Sequence, residues 1–153
     1  MSRYYKHRKS GPDPIVAILT MIGSAFLALF KWLWNLIVGK KQKKFNKSEN
    51  IRQWQEIDKM TESQDVIHAE QAVIKADKFF DEKMKEAGAL GEKFSDRLRS
   101  LEPRFAHEVY QSIWDAHKLR NEISHEVDHR TSIGECKSAL IKFRLGMHAL
   151  GAI

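Results

Sequence analysis

Cysteine is almost absent from this sequence, since Cys136 is the only one in the chain. One cysteine cannot form an internal disulfide, so nothing in the sequence requires an oxidising compartment. Its spacing matches no metal-binding motif, and its neighbours are typical of a helix. We therefore predict a small packed side chain at Cys136, in preference to a reactive thiol.

Several signatures of enzymes are also missing from the sequence. It contains no glycine-rich phosphate loop, no nucleophile elbow and no carboxylate-rich metal motif. These absences argue against a mononucleotide-hydrolysing enzyme, and we expect no cofactor and no metal. The C-terminal two thirds also lack the alternating pattern of a half-buried strand, so we predict that this part is helical.

The charge of the chain is strongly positive, with a formal net charge of +6 and an isoelectric point of about 9.4. Such a balance favours anionic partners, either nucleic acid or acidic lipid head groups. Much of the excess flanks one apolar segment, so lipid is its first explanation. These flanking residues are Arg3, Lys6, Arg8 and Lys9 before the segment, and Lys40, Lys41, Lys43, Lys44 and Lys47 after it.

The apolar segment is residues 14–38, in which Lys31 is the only charged residue. As a helix it would extend ~37 Å, which is enough to cross a hydrocarbon core of about 30 Å. A cleavable signal peptide is the alternative, but the run is longer than a usual signal core and lacks a small-residue cleavage site. An amphipathic helix lying in the interface does not fit, because charges are missing from every face of the first 17 residues.

We therefore predict four parts along the chain. Residues 1–13 form a basic tail, 14–38 a single transmembrane helix, 39–47 a polybasic linker and 48–153 a helical domain. Basic residues on the two sides of the span are nearly balanced, so the positive-inside rule decides little. The lack of disulfide chemistry, together with the character of the C-terminal domain, favours placing that domain in the cytoplasm, and we expect the span in the cell inner membrane.

The predicted fold class is all-α, with an antiparallel four-helix bundle that follows the membrane helix. The pattern predicts helices over 48–60, 61–88 and 94–101, then over 103–125 and from 132 onward. Thr61 and Ser132 each open a capping-box pattern, Pro103 suits a first helical turn, and Gly88 and Gly91 mark a turn. The predicted core residues are Ile51, Trp54, Ile57, Val66, Ala69, Val73, Ala76, Phe80, Met84, Phe94, Leu98, Leu101, Tyr110, Ile113, Trp114, Leu119, Cys136, Ala139, Leu140, Phe143 and Met147.

The most informative stretch is residues 120–125, which begins with Arg120 and ends with His125. On a helix His117, Asn121 and His125 share one polar face, which we expect at the rim of the bundle. Cleavage of RNA by its own 2′-hydroxyl needs a proton acceptor, a proton donor and a cation beside the phosphorus. Imidazole suits the first two tasks, while a guanidinium matches phosphate oxygens.

The order arginine, polar residue, three further positions and histidine resembles the signature of the HEPN superfamily (higher eukaryotes and prokaryotes nucleotide-binding domains). The preceding stretch 114–119 and the trailing Glu126 look like a branch found in small bacterial proteins, and the likeness covers residues 61–150. It implies an α-bundle in which two protomers share a cleft, and its catalytic members are metal-independent endoribonucleases. By resemblance, His125 is the acid/base residue, Arg120 the phosphate-binding cation and Asn121 the orienting group. The resemblance does not extend to His117, for which a packing or solvated histidine is the alternative; His117 and Ser124 are candidate contributors to substrate binding only because they lie on or beside the same helix face.

Other interpretations of the same residues remain open. Arg120 could pair with Glu122 or Glu126, or cap a helix end, while His125 binds a backbone carbonyl. A metal site of His117, His125 and Asp128 is conceivable but is poorly supported, because asparagine is a weak zinc ligand and no thiol cluster is present. Trp54 and Trp114 are expected in the core rather than as base-stacking platforms. The alternative function is a non-catalytic, membrane-tethered module that binds a partner protein.

Overall fold

The computed structural model describes residues 44–125 and 131–153, together with Gly23, Ala25 and residues 27–30. The chain divides into two units, Met1–Lys41 and Gln42–Ile153. The described residues of the first unit are helical and exposed. Every helix and contact discussed below belongs to the second unit.

The second unit contains five α-helices and one short 3₁₀ turn in its described part. The helices are α1 (Lys47–Lys59), α2 (Val66–Glu86), α3 (Phe94–Ser100), α4 (His107–His125) and α5 (Ile133–Leu150), and the 3₁₀ turn is Glu102–Arg104. Across residues 44–125 and 131–153 there is no strand. The predicted all-α class is therefore confirmed.

None of the helices in the described parts of the chain combines the length and the apolar character that a membrane crossing requires. Most of the predicted membrane segment 14–38 lies outside the described residues, as do its flanks 1–13 and 39–43. The membrane helix therefore stays a prediction.

The four longer helices form a bundle in which neighbours along the chain run in opposite directions. Asp115 on α4 pairs with Lys142 on α5 at 3.1 Å, while Ile113, two residues earlier, lies beside Gly146, four residues later. Between α1 and α5, Asn50 bonds Ala152 whereas Asp58 lies 3.7 Å from Arg144. Helix α5 has equally extensive contacts with α2 and with α4, and α3 is an additional short helix packed on α2.

The core forms where the apolar stripes of these helices meet. Most of the predicted core residues are buried, and Trp114 and Leu119 are partly buried against the same cluster. Cys136 is also buried, and burial together with the nearby Glu70 and Glu135 carboxylates raises the pKa of its thiol to about 11. The expectation of a packed, unreactive Cys136 is thereby supported.

Two residues assigned to the core lie on the surface instead. Ile51 is 43% exposed on α1 and Val66 is 37% exposed at the first position of α2. Both fall at the start or the outer side of a helix, where the neighbouring helices do not reach. Helical spacing alone does not reveal how far along its length a helix is covered.

One of the two predicted capping boxes is confirmed and the other is wrong. At α5 the Ser132 hydroxyl accepts from the Glu135 N–H at 3.2 Å, and the Glu135 carboxylate accepts from the Ser132 N–H at 2.8 Å. At α2 the cap is Asp65, which accepts from Ile67 N–H at 3.0 Å. Thr61 lies in the preceding turn and donates to the Asp58 carbonyl at 2.8 Å.

The start of α4 also differs from the prediction. Pro103 lies in the 3₁₀ turn Glu102–Arg104, and the helix begins only at His107. Phe105 has extended backbone angles and separates the two. A proline is accepted in the first turn of either kind of helix. Its presence therefore does not distinguish a 3₁₀ turn from the start of an α-helix.

Arg97 holds the connection between α2 and α3 in place. Its guanidinium binds the Asp81 carboxylate in a bidentate manner, with Nε at 2.6 Å and Nη2 at 2.8 Å. Its Nη1 donates to the carbonyls of Gly91 and Glu92. The turn needs glycine at position 91, because φ is +116° and a Cβ would collide with the side chain of Asp96. Arg97 is 7% exposed, so this pairing takes place in the protein interior.

Gly146 permits the close approach of α5 to α2 and α4. A Cβ at this position would lie 2.8 Å from a ring carbon of Phe80 and 2.9 Å from two carbons of Ile113, both fully buried side chains. In contrast, a Cβ at Gly134 in the first turn of α5 would meet only the Ser132 hydroxyl, at 3.8 Å. Packing therefore requires a glycine at position 146 of α5 but not at position 134.

We predict that Gly146→Ala destabilises the domain although alanine is the better helix former. Overpacking costs about 1–3 kcal/mol and the gain in helix propensity is about 1 kcal/mol, so the expected net loss in unfolding free energy is about 1 kcal/mol. Gly134→Ala is the matched control, and we expect it to be neutral or to stabilise by a few tenths of a kcal/mol, as helix propensity predicts. Urea unfolding followed by circular dichroism measures both, and an equal effect of the two substitutions would contradict the packing argument.

The pair of Asp81 and Arg97 predicts a pH dependence of stability. Burial raises the pKa of Asp81, but the hydrogen bonds and charges of Arg97 and Lys85 outweigh it, so the pKa lies below its ordinary value. Because the folded-state pKa is lower, the stabilisation is complete above the unfolded value of about 3.9 and is lost as the pH falls through the folded pKa.

We accordingly expect Arg97→Met to lower the unfolding free energy by about 2 to 3 kcal/mol at pH 7, because it leaves a largely buried carboxylate with only the exposed Lys85 as partner. The difference from the wild type should shrink below about pH 4, where Asp81 becomes protonated. Arg99→Met is the control on the same helix, because Arg99 is exposed and should change stability by less than about 0.5 kcal/mol. A difference that stays constant from pH 7 to pH 3 would rule out this explanation.

Candidate functional site

The predicted site residues lie in the last three turns of α4, where they differ in burial. Arg120 and Asn121 are half-buried, whereas Ser124 and His125 are exposed. His117 is mostly buried, with 15% of its side chain exposed. This gradient from interior to surface follows the helix toward its C-terminus, as expected for the rim of the bundle.

Asp77 on α2 connects two of these residues, and sequence reasoning missed it. It is 6% exposed and lies within the apolar stripe of α2, one turn from Val73 and one turn from Phe80. A carboxylate in such a position is costly unless it is paired. An aspartate that interrupts a buried stripe was therefore the signal in the sequence that could have revealed it.

His117 contacts Oδ1, one of the two oxygens of the Asp77 carboxylate. Its Nδ1 lies 2.6 Å from Oδ1 of Asp77. Its ring stacks on Phe94, with 3.8 Å between the ring centroids and 2° between the planes, and Trp114 meets it edge-on at 6.3 Å. An ionised carboxylate only accepts hydrogen bonds, so Nδ1 carries the proton in this contact. The imidazole is therefore held in one orientation by a hydrogen bond and by two aromatic neighbours.

Arg120 lies beside the second oxygen of Asp77. Its Nε is sealed from solvent and lies 3.5 Å from Oδ2, a distance of an ion pair rather than of a well-formed hydrogen bond. At the other end of the guanidinium, Nη1 donates to the side-chain oxygen of Asn121 at 3.0 Å. The arginine is thus anchored by its buried edge, and 31% of its side chain remains exposed.

The sequence left open a pairing of Arg120 with an acidic neighbour, Glu122 or Glu126; among the described residues its acidic partner is Asp77 from α2. Glu122 lies 3.7 Å from Lys118. Glu126, the other candidate, lies outside the described residues, as does Asp128 of the conceivable metal site. No group of three or more histidine, cysteine or acidic side chains in the described regions is arranged to hold a metal ion.

The two ends of the predicted motif leave α4 in different directions. Residues five apart on an α-helix are separated by about 140° around its axis. Arg120 accordingly points toward α2, while His125 is exposed at the end of α4 and, within the described residues, makes no hydrogen bond or ion pair. The structure joins Arg120 to Asn121 directly and to His117 through Asp77, but it does not join His125 to them.

A basic and aromatic surface borders this cluster. Trp114 is half-buried, its ring meets Tyr110 edge-on at 6.2 Å, and the Arg99 guanidinium lies 5.8 Å from its centroid. The Arg99 side chain is itself 66% exposed. Trp114 is therefore a boundary residue rather than a core residue, and it brings a second guanidinium to the His117 side of α4.

The chain was compared with protein families, with curated proteins and with solved structures, and none of the three comparisons gives a match. The resemblance to the HEPN superfamily therefore rests on the motif and helix order described above, and it stays a prediction.

Proposed function

We propose that the helical domain binds RNA at the C-terminal end of α4 and cleaves it without a metal ion, as a HEPN-like endoribonuclease. The observation that carries this proposal is the anchoring of Arg120. Its buried edge lies against Asp77, its Nη1 against Asn121, and about a third of the side chain reaches solvent next to exposed Ser124 and His125. A guanidinium held in this way is suited to bind a phosphate group.

The proposed chemistry uses the ribose of the substrate as its own nucleophile. One imidazole removes the proton of the 2′-hydroxyl, O2′ attacks phosphorus, and a second imidazole donates a proton to the departing 5′-oxygen. The products are a 2′,3′-cyclic phosphate and a 5′-hydroxyl. Arg120 stabilises the negative charge on the phosphorane, and Asn121 orients Arg120.

The two imidazoles in this proposal are the His125 side chains of two copies of the chain. His125 and Arg120 diverge within one chain, but two copies that meet at the end of α4 can place the His125 of one beside the Arg120 of the other. Such a shared cleft is also what the resemblance implies. The exposure of His125 and Ser124 supports it, because both are available for a contact between copies.

We further propose that residues 14–38 anchor the protein in the bacterial inner membrane as a single span, with the bundle in the cytoplasm, where RNA is found. The support is the sequence, namely an uncharged run from Pro14 to Phe30 between two basic clusters. Acidic lipid head groups are then the partners of the flanking lysines and arginines.

The first prediction concerns cleavage. The full chain in detergent micelles should cleave single-stranded RNA in the presence of EDTA and leave 2′,3′-cyclic phosphate ends. His125→Ala should lower the rate at least about 100-fold, because it removes the acid/base group. His107→Ala is the matched control, since His107 is an exposed histidine at the opposite end of the same helix. An inactive wild type, or a folded His125→Ala variant with an unchanged rate, would refute the nuclease.

The second prediction concerns assembly. Sedimentation in density-matched detergent should show a dimer, and Ser124→Arg should shift the equilibrium toward monomer, because it places a bulky cation where the two copies meet. Ser63→Arg is the control, because Ser63 is exposed in the turn before α2. A wild type that stays monomeric at the highest concentration reached would contradict the shared cleft.

One observation favours a second function, a non-catalytic module that binds a partner protein. Asp77 carries one negative charge, and it already offsets the charge of Arg120. A face with little net charge suits a hydrogen-bonded protein contact as well as a phosphate. A folded dimer that neither binds nor cleaves varied RNAs in the experiments above would select this function.

A further inference from the structure

We infer that Asp77 is a positioning residue for Arg120, with His117 holding the carboxylate in place. The inference rests on the proposed function, because Arg120 is assigned there to a phosphate of RNA. It adds two residues that the motif does not contain, one of them from another helix.

The first step is the burial of Asp77. With 8% of its side chain exposed, the carboxylate has lost most of its hydration, and this cost must be offset by partners. Two of its partners come from α4 and are one turn apart, His117 at Oδ1 and Arg120 at Oδ2. One carboxylate therefore determines where an imidazole and a guanidinium of α4 lie.

The second step is that the carboxylate itself cannot turn. His117 binds Oδ1 at 2.6 Å, and its ring stacks on Phe94 from α3 while Trp114 contacts its edge. Rotation of the Asp77 side chain would break the hydrogen bond, and rotation of the imidazole would break the stacking. Oδ2 is thereby left at a fixed place, facing Nε of Arg120.

The third step concerns which part of the guanidinium remains available. Asp77 contacts the Nε edge, which is buried, and Asn121 accepts from Nη1. The part of the guanidinium that neither residue contacts is available to a ligand, since 31% of the side chain is exposed. An arginine without the carboxylate would have many rotamers, and holding it in advance reduces the entropy lost when phosphate binds.

Two effects of Asp77 on RNA affinity are distinguishable, the field of its negative charge and its positioning of Arg120. The two predict changes of opposite sign for Asp77→Asn. If Asp77 acts only through its charge, its removal reduces electrostatic repulsion of the RNA phosphates and strengthens RNA binding. Removing the anchor of Arg120 weakens it if position matters. The sign of the change in affinity therefore separates the two explanations.

The experiment measures affinity for a single-stranded RNA whose 2′-hydroxyls are methylated, so that it cannot be cleaved, using the full chain in detergent micelles. We expect Asp77→Asn to weaken binding about tenfold, because Arg120 loses the buried charge that holds its Nε edge and must then be ordered when phosphate binds. Asp115→Asn is the matched control, because it removes the same charge from an exposed site on α4 whose partner is Lys142. It should leave affinity unchanged or slightly higher. Tighter binding by Asp77→Asn would overturn the inference.

A double-mutant cycle tests whether Asp77 acts through Arg120. In the Arg120→Ala background, Asp77→Asn should have no further effect on affinity, because the side chain that it positions is gone. A further tenfold loss in that background would show that Asp77 acts by another route and would overturn the inference.

A measurement without RNA keeps the inference testable if a variant folds poorly or if the chain does not bind RNA. In the wild type, the Nε–H proton of Arg120 should exchange with solvent at least about tenfold more slowly than that of exposed Arg99, as nitrogen-15 NMR can record. His117→Phe retains a ring to stack on Phe94 but loses the hydrogen bond to Asp77, so it should accelerate this exchange.

RNA binding and Nε–H exchange together distinguish failure of the proposed nuclease from failure of the proposed positioning role of Asp77. Slow exchange at Arg120 that His117→Phe accelerates, with no RNA binding by the wild type, would refute the nuclease and leave the positioning role intact. Equal exchange at Arg120 and Arg99, or an Arg120 rate that His117→Phe leaves unchanged, would overturn the positioning role even if RNA is cleaved.

Discussion

The end of this bundle that carries the candidate site depends on one buried carboxylate that must be paired. Asp77 interrupts the apolar face of α2, and the packing of α2 on α4 has to provide partners for it. His117 and Arg120 meet this demand from successive turns of α4, and Phe94 from α3 completes the enclosure. The same contacts that satisfy the core thus determine which groups of α4 reach its surface.

A similar arrangement one turn further along α2 fixes the short helix that supplies Phe94. Asp81 receives the guanidinium of Arg97, which also binds two carbonyls of the α2–α3 turn. Asp77 and Asp81 are four residues apart and therefore lie on neighbouring turns of one helix. Two aspartates of α2 consequently orient the elements on either side of the site, α3 through Arg97 and α4 through His117 and Arg120.

Helical periodicity was enough to predict the helices and most of the core, because burial on one side of a helix repeats every three to four residues. The errors occur where local signals compete. Thr61 and Asp65 are both of residue types that cap helices, and in the structure Asp65 is the cap of α2. Pro103 opens a 3₁₀ turn rather than α4, and Ile51 and Val66 lie beyond the reach of their neighbours. Within the candidate site, the sequence drew attention to the residues of α4, whereas Asp77 was missed because it is 40 positions away from His117.

The helical class, the approximate positions of the turns, the packing of Cys136 and the cluster of polar side chains between His117 and His125 could all be predicted from the linear sequence. These properties follow from spacing and from the chemistry of individual residues, which a linear pattern records. In contrast, the contact of Arg120 with Asp77 and the enclosure of His117 by Phe94 depend on how the helices pack, and no linear pattern records them. Such pairings join residues from different helices, and they are set by which buried charges meet when the helices pack.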